Sequence, residues 1–156
     1  MITQIQGKLV EKYPTHVVVD CNGIGYEVHI SLHTFGQLPS EEAIKLYTHL
    51  LIREDAHTLY GFASHSERAL FRLLIGVSGS SASTASTMLS SLEPLQSQKA
   101  ILTEDGPTIQ SIKGIGLKTA QRVIIELLDK IKTLPEMEQI EAISGNTIKE
   151  EALSAL

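Results

Sequence analysis

Between Ile112 and Arg122 the chain reads Ile-Lys-Gly-Ile-Gly-Leu-Lys-Thr-Ala-Gln-Arg, residue types suited to holding a phosphate. Gly114 and Gly116 flank one apolar residue, Ile115, and an amphipathic helical pattern follows from Leu117 through Ile131. Glycines let a backbone turn sharply and let a ligand approach closely. The helix that follows would present unpaired N–H groups and the positive end of its dipole. Lys118 and Arg122, one turn apart, add full charges, with Lys113 and Thr119 beside them. Such a helix start is an anion site.

The spacing resembles the helix-hairpin-helix motif, which grips a nucleic-acid backbone without reading its sequence; an ordinary helical corner with glycine for packing would satisfy the glycines alone. Other chemistry finds less support. The six histidines, His16, His29, His33, His49, His57 and His65, fall within the first 65 residues. None pairs with Cys or Glu at metal-ligand spacing, and strand alternation places most at the surface. Cys21, the single cysteine, closes an apolar run from Val17 and reads as a small buried core residue. No Gly-rich loop ends in Lys-Ser or Lys-Thr, so ATP hydrolysis would have to come from a partner. A DNA glycosylase would need a catalytic Lys or Asp in a pocket after the hairpin, and Asp129 is expected on an exposed helix face.

The elements that would position the hairpin come in two kinds. Up to Phe62 the pattern is of strands, with Ile5, Gly7, Leu9 and Glu11 on one face, then Val17–Asp20, Tyr26–Ile30, Ile44–Ile52 and Thr58–Phe62. Tyr13-Pro14, Asn22-Gly23 and Glu54-Asp55 supply turns, and Leu32–Leu38 a short helical turn. Five strands with a longer third connection suit a small closed OB-type barrel, as they would an SH3-like barrel or an open meander. Beyond Phe62 the period becomes helical: His65–Ile75, opened by Ser64 and Ser66, then Ala82–Leu92, a helix from Glu93 or Pro94 to Leu102, Pro107–Ile112, and Leu117–Lys132. The fold class is thus mixed, a five-stranded barrel over residues 1–63 followed by an all-helical domain over 64–133.

The helical part contains an echo of the hairpin. Val77-Ser78-Gly79-Ser80-Ser81-Ala82-Ser83-Thr84-Ala85 aligns with Ile112 to Ala120 at a separation of 35 residues, implying tandem hairpins in one unit. The first copy is altered: Ser81 stands for the second glycine, where its Cβ is expected to crowd the turn, and Ser83 stands for the lysine. A Ser-rich loop with no ligand fits the same residues.

Composition sets outer bounds. With 156 residues, 42% apolar and 20% charged, and no Trp, the chain is of the globular class with a core of Val, Ile and Leu. No window approaches 18 apolar residues and no signal peptide is visible, so a cytoplasmic protein without a membrane span is expected. The net charge of −5 is uneven. Residues 64–133 are net basic, whereas residues 1–63 and 134–156 are net acidic. Screening beyond about 8 Å makes the local balance matter more than the total. Residues 134–147 read as an acidic flexible linker, and 148–156 as the start of a further helix.

A second distinctive stretch, Thr48-His49-Leu50-Leu51-Ile52-Arg53-Glu54-Asp55-Ala56-His57-Thr58-Leu59-Tyr60-Gly61-Phe62, joins Gly7, Glu11-Lys12, Gly23 to Val28, Glu67-Arg68, Phe71 and the Gly114 hairpin in one order. Over nearly its whole length the chain resembles the RuvA family of Holliday junction branch-migration proteins. The resemblance implies structure-specific binding of four-way DNA junctions by a non-catalytic subunit, with no cofactor or metal. It further implies a homotetramer, two of which can pair as an octamer on DNA, and a RuvB-type hexameric ATPase reached through a carboxy-terminal domain of which only the start is present. A junction resolvase is another implied partner. Glu54 and Asp55, otherwise an unexceptional solvated turn, become an acidic pin at the crossover, with Arg53 beside them. The implied DNA contacts are Gly79, Ser80, Ser81 and Ser83 in the first hairpin, and Lys113, Gly114, Ile115, Gly116, Lys118, Thr119 and Arg122 in the second. A duplex-binding scaffold of another repair complex is the competing function. Thr3 departs from the family's usual Gly, and Glu67, Arg68 and Arg72 are candidate subunit contacts.

Overall fold

The strands close on themselves. In the computed structural model, which describes residues 1–39, 42–77 and 80–133, five strands form a closed barrel in the order β1-β2-β3-β5-β4. They are β1 (Gln4–Lys12), β2 (His16–Cys21), β3 (Ile24–His29), β4 (Ala43–Ile52) and β5 (His57–Phe62). The parallel contact of β3 with β5, at His29 and Tyr60, and the antiparallel pairing of β1 with β4 complete the OB-type closure and exclude the open meander. Alternation carries Ile5, Leu9, Val17, Val19, Val28, Ile44, Leu46 and Leu59 inward.

Two local features depart from simple alternation. The β1–β2 register shifts between Leu9 and Glu11, so a bulge turns Glu11 outward instead of leaving it on the face of Ile5 and Leu9. At Gly7 the backbone of β2 passes so close that a Cβ would strike the Asp20 carbonyl. The Asn22-Gly23 turn has φ values of 54° and 95°, and Gly23 N–H donates to Asp20 Oδ1 at 2.7 Å. Cys21 is half-buried at the barrel edge, short of the core position expected for it, because it ends β2 where the strand leaves the sheet. A short helix, α1 (Leu32–Gln37), capped by Ser31, links β3 to β4.

Five helices follow: α2 (His65–Ile75), α3 (Ala82–Ser91), α4 (Pro94–Leu102), α5 (Gly106–Gln110) and α6 (Leu117–Lys132). Their buried faces share one core that includes Leu70, Phe71, Leu74, Met88, Ile101 and Leu127. Residues 134–156, with the expected linker and terminal helix, lie outside the described residues.

α2 locks the helices to the barrel. Phe71, fully buried, packs against Tyr60 and Phe62 of β5 at ring-centroid distances of 4.9 Å, a burial that stabilises by roughly 1.5–3 kcal/mol. Arg68 Nη1 donates to the carbonyl and hydroxyl oxygens of Thr3 at 2.7 and 3.2 Å, so Thr3 meets the helical domain across the domain boundary. Glu67 is completely buried and accepts hydrogen bonds from Ser31 and Thr34, while Thr34 Oγ1 accepts from Ala63 N–H. Its role is therefore within the chain. Arg72 reaches His49 Nδ1 with its Nε at 3.3 Å, and of the three proposed subunit contacts its residue alone is exposed.

Candidate nucleic-acid interface

The second hairpin joins α5 to α6. Ile112 and Ile115 are buried in the helical core and act as its two anchors. Gly114, between them, has φ of +89°, a left-handed conformation that an L side chain adopts only with strain. The Ile115 N–H donates to the Ile112 carbonyl at 3.1 Å, so Ile115 supports the turn and offers neither side chain nor amide to a ligand. Gly116 is the N-cap of α6 with no side-chain capping bond, leaving the first-turn N–H groups without one. A Cβ at Gly116 would meet nothing within 4 Å. The space above this helix start is open, and Lys113, Lys118 and Arg122 are exposed around it, with Thr119 half-buried.

The first hairpin repeats this hydrogen-bond plan. Ser80 N–H donates to Val77 O at 3.1 Å as Ile115 does to Ile112, and Ala85 N–H donates to Ser81 O at 2.9 Å as Ala120 does to Gly116 at 3.0 Å. Gly79 and Ser78 lie outside the described residues. Ser81 has φ −107° and ψ 169°, close to the −86° and 175° of Gly116. The expected crowding by its Cβ is therefore absent within the chain, because this backbone is ordinary extended conformation. Ser81 differs in chemistry: its Oγ accepts from Thr84 N–H at 3.1 Å and occupies one donor that Gly116 leaves free. Ser83, in place of Lys118, is exposed, and the Ser80 hydroxyl is buried without a partner where the second copy has an apolar anchor.

On the barrel, Arg53 to Ala56 connect β4 to β5, closed by a 2.8 Å bond from Arg53 N–H to Ala56 O. Every residue from Ile52 to His57 is exposed, so Glu54 and Asp55 stand at a projecting tip. Where the barrel meets the helices lies a groove of about 610 Å³ whose walls include His29, Tyr60, Ser83, Thr87, Ser90 and Lys113. Burial raises the pKa of the Tyr60 phenol, and the charge of Arg53 opposes that shift. The groove thus brings Tyr60 and His29 of the barrel onto one surface with Lys113 of the second hairpin and Ser83 of the first.

The sequence pattern signals neither this groove nor the burial of Glu67, which it offered as a candidate subunit contact. The histidines also sit differently from expectation: His16, His29, His33, His49 and His65 are half-buried, and only His57 is exposed. Most pack against aromatic rings, as in His29 on Tyr60 and His65 on Tyr47. No group of three or more potential ligands among the described residues could hold a metal ion. No helix among them is long and apolar enough to cross a membrane.

Residues 1–61 match the family described as "RuvA N terminal domain", and residues 71–129 match "SAM-like Helix-hairpin-helix tandem". A protein of Flavobacterium psychrophilum named "Holliday junction branch migration complex subunit RuvA" is 60% identical over 156 residues, all of this chain and 81% of the relative. The chain belongs to the RuvA family. A RuvA of Christiangramia forsetii is 58% identical with the same coverage, and one of Bacteroides thetaiotaomicron is 49% identical over 86% of this chain and 67% of its own length. The family match spans the barrel and both hairpins, the two parts that the groove brings onto one face.

Proposed function

We propose that this protein binds four-way DNA junctions by their shape and holds them open while a partner ATPase drives branch migration. The reading is carried by the uncapped helix start of α6, ringed by exposed Lys113, Lys118 and Arg122 and joined through Lys113 to a hydroxyl-lined groove against the barrel. Phosphates entering at the second hairpin meet the free N–H groups of α6 together with Lys113, Lys118 and Arg122. At the tip the carboxylates of Glu54 and Asp55 repel phosphates, so backbones are steered past the turn while Arg53 retains one. Such contacts fix position on the backbone without reading bases.

The first hairpin, through Gly79, Ser80, Ser81 and Ser83, is the weaker of two grips on each arm. Its capped helix start and missing lysine shift the load to Gly114, Gly116, Lys118 and Arg122. In a homotetramer four tips would converge on the crossover, and a second tetramer could cover the opposite face as an octamer. The partner is a RuvB-type hexameric ATPase engaged through the region that begins near residue 148, with a junction resolvase acting on the same DNA in the cytoplasm. The protein itself is the non-catalytic, DNA-binding subunit. Affinity for a four-way junction and for a linear duplex of equal length, measured at matched salt, tests this. The junction is expected to bind more tightly; equal affinities would favour a general duplex scaffold and overturn the proposal.

A further inference from the structure

Lys45, Tyr47 and His49 alternate along the outer face of β4, and α2 lays His65, Arg68 and Arg72 against them. His65 stacks on Tyr47 with ring centroids 3.8 Å apart, and Lys45 Nζ and the Arg68 guanidinium lie over the same ring at 5.2 and 5.5 Å. Burial and the charges of Arg72 and Arg68 lower the His49 pKa, which keeps that ring neutral and its Nδ1 able to accept from Arg72 Nε. The bond fixes the Arg72 fork, whose terminal nitrogens have no partner among the described residues. Arg72 and Lys45 are exposed, and no described carboxylate pairs with either.

Another flank of the barrel is acidic. Glu11, Val18 and Glu27 face one another across β1, β2 and β3 in a single row. Val18 is half-buried between two exposed carboxylates that form no ion pair with described residues. Asp20, two residues along β2 on the same face, has Lys8 opposite it, and Val10 at the bulge is 49% exposed. In the barrel β2 lies between β1 and β3, whereas β4 lies between β1 and β5, so this row and the cationic flank point in different directions and do not meet within one chain.

We propose that the cationic flank of one copy of this chain, centred on Arg72, docks on the Glu11–Glu27 row of the next copy. This rests on the homotetramer of the proposed function and names the two surfaces that build it. An arginine fork takes a carboxylate through two parallel N–H···O bonds, and the terminal nitrogens of Arg72 are available for them. Because the two surfaces differ, the contact is head to tail, the kind that closes into rings. A phosphate would suit the cationic flank alone; a second copy accounts for both flanks.

Sedimentation velocity on the 156-residue chain at micromolar concentration tests this. The parent is expected to assemble. Lys45→Glu with Arg72→Glu, and separately Glu11→Arg with Glu27→Arg, should each weaken assembly by about tenfold or more, because like charges then face each other. An equimolar mixture of the two variants should recover it, since every contact in an alternating ring again joins opposite charges, and a folding defect is not repaired by mixing. A parent that stays monomeric would overturn the proposal together with the tetramer on which it rests. Assembly that withstands either reversal, or that mixing fails to recover while both variants remain folded by circular dichroism, would overturn the assignment of surfaces and leave the tetramer standing. Intact assembly with weakened junction binding in the Lys45 and Arg72 variant would make the cationic flank a DNA contact and overturn the assignment as well.

Discussion

Replacing Glu67 tests the account of how barrel and helices are held together. Its carboxylate is completely buried, accepts from the Ser31 and Thr34 hydroxyls, and has His33 Nε2 at 3.9 Å. In Glu67→Ala both hydroxyls lose their acceptor, at roughly 1–3 kcal/mol for each group left unpaired, offset in part by release of a buried charge. A net loss of about 2–4 kcal/mol is expected on that basis. Glu67→Gln keeps one acceptor, fills the same volume and removes the charge, so its loss should stay near 1 kcal/mol at neutral pH. Burial raises the Glu67 pKa, with Ser31, His33 and Thr34 opposing. The folded chain thus holds this proton more tightly than the unfolded chain. That contribution is full below the ordinary Glu range and is lost as pH rises through the folded value. Urea midpoints measured from pH 4 upward should show Glu67→Gln gaining on the parent as pH rises, with Glu67→Ala low throughout. A parent and Gln variant with parallel pH profiles, or an Ala variant as stable as the parent, would refute the reasoning.

Two further substitutions separate turn geometry from ligand binding. Gly114→Ala places a Cβ at φ +89° and should cost about 1–2 kcal/mol in stability before any DNA is added. Gly116→Ser enters open space and ordinary backbone, so stability should change by only a few tenths of a kcal/mol. Its hydroxyl would cap α6 as Ser81 caps α3, so junction binding should weaken while the log-log salt slope stays nearly unchanged, because no cation is lost; unchanged junction affinity would show that the helix start holds no phosphate. Conversely, Ser81→Gly with Ser83→Lys restores the free donor and the charge to the first hairpin, and should tighten junction binding with a slope steeper by about 0.9. No change across a salt titration would show that hairpin to be idle.

What the sequence displayed and what it hid follow from the range of the forces involved. α2 and α6 could be read from end to end because a 3.6-residue apolar period is a local signal, as is the Ser64 cap of α2, and the tandem hairpins could be read from a 35-residue echo. Glu67 could not. Ser64-x-x-Glu67 looks like a capping box, and Ser64 Oγ does accept from Glu67 N–H at 3.2 Å. The carboxylate, however, turns away from its own helix to hydroxyls more than 30 residues earlier, a pairing no local pattern encodes. The groove is hidden for the same reason, since His29 and Tyr60 become neighbours only through the parallel β3–β5 contact that closes the barrel. At Ser81 the expectation failed differently. Glycine in the second copy suggested that the turn excluded a Cβ, but only Gly114 carries that constraint; Gly116 is glycine where the chain itself has room.

That distinction bears on how an acidic protein can hold DNA. A glycine that the fold does not require, at an uncapped helix start ringed by Lys113, Lys118 and Arg122, leaves space for a ligand whose charge is negative. The net charge of −5 then works with this site rather than against it. Long duplex DNA binds proteins chiefly by neutralising phosphates, and a chain with few cations gains little from lying along it. The carboxylates at Glu54 and Asp55 add a local penalty wherever phosphates run straight past the tip. A four-armed junction differs in having a centre from which backbones diverge, and in the proposed mode of binding the acidic tips occupy that centre while the helix starts hold the arms. On that proposal, selectivity for shape comes from pairing a small attractive patch with a repulsive one at fixed separation, and the contacts of Glu67, Arg68 and Phe71 between barrel and helices hold the two domains in place.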